Sequence, residues 1–163
     1  MTSIMYNTDT LDPALATVTA AVSDMTSVMD AIGELLLVST QDRMHDGEQP
    51  DGAPFAPRKQ SSLDRYAKVG LTFGAPLNVS RDMRNTLSYE ADQDSVEYGS
   101  NAIQAAVMQF GAAKGAFGKA SNGTSTPWGA IPARPFIGLS EEDQSDIVAD
   151  LEDWLEEAAA RRD

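Results

Sequence analysis

Residues 131–143 read Ile131-Pro132-Ala133-Arg134-Pro135-Phe136-Ile137-Gly138-Leu139-Ser140-Glu141-Glu142-Asp143. Pro132 and Pro135 fix their own φ and disfavour helical backbone in the residue before each of them. The run is therefore a stiff extended arm that holds Arg134 and Phe136 at set positions. It ends in Ser140-Glu141-Glu142-Asp143, a capping-box pattern with acids facing the positive end of a helix dipole. Ile147, Val148, Leu151, Trp154, Leu155 and Ala158 then mark one face of a C-terminal helix. Arg161 and Arg162 stand at its end, where cations are favoured.

At the other end of the chain, Leu11, Leu15, Val18, Val22, Met25, Met29, Ile32 and Leu36 repeat at spacings of 4 and 3 across 26 residues. That heptad predicts one long helix, opened by Asp12 as N-cap and Pro13 as first residue. Ala14, Ala21, Val28 and Leu35 form a second stripe beside it. So wide a face suits a helix lying on a domain core, with an intermolecular helix pair as the alternative.

Between the two helices the pattern is mixed. Residues 41–76 carry a Pro- and Gly-rich stretch that cannot be regular throughout. Phe55 sits in it, either clamped on the core or offered to a partner. Ser61–Val69 predicts a short helix with Gly70 beyond its end. Residues 77–91 read as a short helix running into a strand. Asp92-Gln93-Asp94 then turns Thr86–Ala91 back into Ser95–Gly99 as a hairpin. Ala102–Phe110 reads as a buried short helix ended by Gly111. Residues 111–130 hold five Gly and one Pro, a loop too long for a mere connector. Its Phe117 and Trp128 are either folded back or completed by another chain. The expected fold class is α+β: long N-terminal and C-terminal helices packed on a small antiparallel sheet. It forms one domain over 1–163, with 41–76 and 111–130 as extensions.

The chain has 163 residues, one His, no Cys and a formal charge of −13. Without Cys there is no disulfide framework, thiolate zinc site or Cys nucleophile, and one His excludes two-His metal motifs. The acidity is uneven: residues 1–40 carry five acids and no base, 41–136 ten of each, and 137–163 ten acids and two bases. This balance disfavours a grip on DNA phosphates. No apolar run is long enough to span a bilayer and no secretory signal is visible, so an intracellular protein without membrane contact is expected. The Gly115–Lys119 segment fails the phosphate-loop pattern, because positions 113 and 120 are Ala. Asp42, His45 and Asp46 read as a solvated loop rather than a metal site, and Glu90, Asp92, Asp94 and Glu97 as a charged hairpin tip. No nucleophile–base pair is recognisable. Catalytic, cofactor and metal sites are therefore all expected to be absent.

The run Ile131–Gly138, with Pro50-Asp51-Gly52, Phe55-Ala56-Pro57, Tyr98-Gly99-Ser100-Asn101 and Gln109-Phe110-Gly111, resembles the phage virion morphogenesis family of tail-completion proteins of Mu-type and related phages. The matches cover about 40–140 in order. Met108 stands where the family has His, Ala105 where it has Tyr, and Asn78-Val79 where it has Thr-Gly, so no role of those residues carries over. The resemblance implies a structural, non-enzymatic virion protein. It would form a ring of copies of itself, commonly six, at the head-proximal end of the tail. There it would meet the tail-tube protein and a neck or head-completion protein, after assembly in the host cytoplasm. DNA would only pass through the lumen, which the acidic helices would suit if they line it. Alternatives are an adaptor ring on the portal side and a monomeric interaction module. The candidate contact residues are Arg134, Phe136, Phe55, Trp128 and Phe117. Arg134 pairs either with an acid of an adjacent subunit or inside its own chain.

Overall fold

The computed structural model describes residues 11–70, 74–78, 82–127 and 129–160. Trp128, Arg81, Arg161 and Arg162 lie outside the described residues, as do the side chains of residues 11–14. The architecture is α+β. The order is α1 (Leu11–Val22), α2 (Thr26–Asp46), α3 (Gln60–Lys68), α4 (Asp82–Asn85), β1 (Leu87–Ala91), β2 (Val96–Ser100), α5 (Ala105–Phe110) and α6 (Glu141–Ala160).

The N-terminal heptad is not one helix. It breaks at Ser23-Asp24-Met25, where Asp24 Oδ1 accepts the Thr26 N–H at 3.1 Å and the Thr26 hydroxyl at 2.6 Å. This Asx-type turn leads into a new helix, whose N-cap residue is Met25, and those two bonds hold the Asp24 carboxyl below its ordinary pKa. The Met25 N–H is taken by the Gln93 carbonyl at the hairpin tip, at 2.9 Å. The second helix also runs further than expected, to Asp46. It stops only at Gly47, whose left-handed φ of 87° forms the C-cap.

The buried line of α2 is Val28, Ile32, Leu36, Thr40 and Met44, each four residues after the last. Each step of four overshoots a 3.6-residue turn by about 40°. The buried face therefore rotates along the helix and serves two core clusters. Val28, Ile32 and Leu36 pack with Val96, Tyr98, Ile147, Leu151 and Trp154. Met44 packs with Phe55, Met83, Leu87, Ala105 and Phe136.

The hairpin pairs Leu87 with Ser100, Tyr89 with Tyr98 and Ala91 with Val96, with Asp92 and Ser95 closing the turn. It lies on α2 at Gly33, where a Cβ would stand 2.7 Å from Tyr89 Cγ. Any larger residue there would push the strand off the helix.

The capping box at Ser140 is formed as expected. Ser140 N–H donates to Asp143 Oδ2 at 2.8 Å, and Asp143 N–H donates to Ser140 Oγ at 3.0 Å. Asp143 is also buried against Arg43 Nη1 at 2.6 Å and accepts from the Ser39 hydroxyl. Nothing in the sequence pattern pointed to this ion pair. Along α6, Ile147, Leu151, Trp154 and Ala158 pack inward, but Val148 and Leu155 are exposed, so the core stripe is narrower than the sequence suggested.

The region between the hairpin and the arm differs from expectation at α5. The short helix before Gly111 is not wholly buried: Ile103, just ahead of α5, is 98% exposed and Phe110 is 79% exposed. Residues 111–127 are folded on themselves. Phe117 N–H donates to the Thr126 carbonyl at 2.7 Å and Thr126 N–H to the Gly118 carbonyl at 2.8 Å, with bridges Lys119–Ser125 and Ala112–Ile131.

Candidate functional site

The extended arm is held by the other segments that carry the sequence resemblance. Gln109 Oε1 accepts the N–H groups of Phe136 and Ile137 at 2.9 and 3.1 Å, and its Nε2 donates to the Ile137 carbonyl at 2.9 Å. One side-chain amide thus replaces a strand partner for two residues of arm. The Arg134 N–H donates to the Met108 carbonyl at 2.7 Å. Gly111 allows this approach: its φ is 73°, and a Cβ there would stand 2.8 Å from Ala133 N and Ile131 O. The Tyr98 hydroxyl both donates to the Gly138 carbonyl and accepts the Gly138 N–H, at 3.0 and 2.9 Å. Around Pro50-Asp51-Gly52 the chain turns tightly, with Asp51 Oδ1 accepting the Ala53 N–H at 3.0 Å, and delivers Phe55 to the core.

The five candidate contact residues therefore separate. Phe136 is 1% exposed and Phe55 is buried beside it. Arg134 is buried too. It donates to the carbonyls of Ala56 at 2.6 Å and Pro57 at 3.0 Å, so it clamps the Pro-rich segment of its own chain. Among the described residues it meets no carboxylate, and its guanidinium is buried rather than offered to solvent. Phe117 is 58% exposed, on the folded loop, where its N–H donates to the Thr126 carbonyl. Trp128 lies outside the described residues.

The same clamp builds one wall of a cleft of about 650 Å³. Arg58, Lys59, Arg65, Tyr66, Pro127 and residues 129–132 line it. Leu77, Met83 and Met108 supply an apolar floor. Leu77 holds a left-handed φ of 69°, a conformation costly for a branched side chain, while its side chain packs against the core.

The electrostatics of the cleft invert those of the chain. Four cations, Arg58, Lys59, Arg65 and Arg134, line it, and no carboxylate does among the described residues. Arg58 donates to the carbonyls of Gly74 and Ala75 at 2.7 and 2.6 Å, and Lys59 to the Ala130 carbonyl at 2.6 Å. Arg65 stands over the Tyr66 ring, 5.6 Å from its centroid. Carbonyl dipoles solvate Lys59 and Arg134 without cancelling their charge. Burial, and then the neighbouring Arg58, push the Arg134 pKa below its ordinary value. Such a cleft can receive an anionic, partly apolar group.

Other chemistry is sparse. Among the described residues no group of three His, Asp or Glu could hold a metal ion, and no helix is long and apolar enough to cross a membrane. His45 and Asp46 meet at 2.9 Å on the exposed end of α2, within a helix rather than a loop. The cleft was not legible from sequence, because its cations come from three separate segments of a stretch with balanced charge.

The chain matches the phage virion morphogenesis family over residues 6–156. A curated relative, the Mu-like prophage FluMu G protein 2 of Haemophilus influenzae, is 32% identical over 91 residues, which cover 56% of this chain. The match spans 59% of that relative's length. No solved structure matches the chain.

Proposed function

The chain belongs to the phage virion morphogenesis family, and from that premise we propose that it is a structural protein of the phage tail. In this reading it assembles with copies of itself into a ring at the head-proximal end. The ring caps the tail tube and offers its other face to the neck. Its work is binding and not catalysis.

The observation that carries the reading is the family match over residues 6–156. The surface supports it. Ile103 and Phe110 are left in water by a chain that buries Phe55 and Phe136 efficiently. Large apolar groups exposed beside a formed core are what an assembly surface requires.

The test is a stop codon early in the gene of a phage or inducible prophage that carries it, followed by electron microscopy of the lysate. Filled heads lying apart from tails, with tails of irregular length, are the expected result. Normal joined particles would refute the reading. Immunogold label at the portal side alone would move the protein to an adaptor role.

A further inference from the structure

We propose that the cationic cleft is the docking site for helix α6 of a second copy of this chain. The inference rests on the assembly reading above in one respect, that copies of the chain meet.

The argument is complementarity on two counts. The cleft has an apolar floor and a rim that includes Lys59 and the exposed Arg65, with no acid in its lining among the described residues. Exposed along one face of α6 are Glu141, Ser145, Val148, Glu152 and Leu155, spaced 4, 3, 4 and 3. Val148 and Leu155 lie two turns apart, about 10 Å along the axis. Such a stripe can set two apolar side chains on the floor while Glu141 and Glu152 meet the rim, in the helix-in-groove manner. A duplex nucleic acid would bring charge of the right sign but no apolar groups for the floor. It would also approach a chain carrying −13.

The helix cannot come from the same molecule. Ile147, Leu151 and Trp154 of α6 are packed against the Val28–Leu36 cluster. The cleft opens instead beside the other cluster, next to Met83. The donor face and the acceptor cleft are different surfaces of one chain, so each copy can give its α6 to one neighbour and receive that of another, a head-to-tail contact. Repeated head-to-tail contacts close into a ring when the rotation between copies permits.

The test uses the full chain and its mass by light scattering across a concentration series, with circular dichroism to confirm folding. Wild-type chain should associate, and added salt should weaken it because the rim pairs are screened. Arg65→Glu and Glu152→Lys, each on an exposed helix position, should weaken association about tenfold or more. Leu155→Ser should do the same without changing charge. Combining Arg65→Glu with Glu152→Lys in one chain, or mixing the two single variants, should restore association to near the wild-type level. Single variants that associate normally would overturn the proposal. So would a double variant no better than the singles, or duplex DNA that competes with association. A wild-type chain that stays monomeric also overturns the docking site. It leaves the virion role standing, which fails only if particles form normally without the gene.

Discussion

Asp143 is the residue on which most of the fold's polar order converges. It caps α6 through Ser140, accepts from Ser39 on α2, and pairs with Arg43, which also donates to the Gly138 carbonyl at 3.0 Å. Burial alone would raise its pKa. The Ser140 N–H, the Ser39 and Ser140 hydroxyls and Arg43 outweigh that, so the carboxyl titrates below its ordinary value of 3.8. A carboxylate depressed in the folded state gives its full stabilisation above the unfolded value. The stabilisation is lost as pH falls through 3.8 toward the lower folded value. Asp143→Ala strands a largely buried Arg43 and should cost about 3 kcal/mol or more. Asp143→Asn should flatten the acid limb of a stability–pH profile measured by urea unfolding. An unchanged acid limb would show that other carboxylates control acid unfolding.

At the scale of elements, the hairpin carries a local conflict. Glu90 stands directly opposite Glu97 on its exposed face. Like charges across a strand pair are destabilising. Glu97→Lys should therefore raise stability by about 0.2–1 kcal/mol, seen as a higher urea midpoint with an unchanged slope. A fall in the midpoint would mean that Glu97 has a favourable partner. The elements themselves were largely legible. The α6 cap, the short helix at 60–68 and the hairpin follow from local pattern, because each is decided by residues within a few positions of one another. The break at Asp24 was not. Val22 and Met25 keep the heptad in phase across it, and the Gln93 carbonyl that fixes it comes from a distant turn. The extended arm was legible as stiff, but local sequence does not say which way its side chains face. Arg134 and Phe136 point inward because Gln109 and the Ala56 and Pro57 carbonyls hold them there.

The whole molecule separates its surfaces by chemistry: an acidic α6, a cationic cleft, and an apolar corner at α5. The corner is the least explained by the chain itself. Ala105 anchors α5 to the core while Ile103 and Phe110, on either side of it, face water. Burying a side chain of that size is worth about 1.5–3 kcal/mol. A surface that forgoes this in the free chain gains it when a partner covers it. Replacing both Ile103 and Phe110 by Ser should then leave unfolding stability within about 0.5 kcal/mol of wild type, since neither packs internally. In a phage carrying the pair, joined particles should fall as they do when the gene is interrupted. A loss of about 2 kcal/mol or more in the isolated chain would show instead that the corner belongs to its own core. Normal stability with normal particles would remove it from the assembly surface and leave the cleft and α6 to carry the contacts between copies.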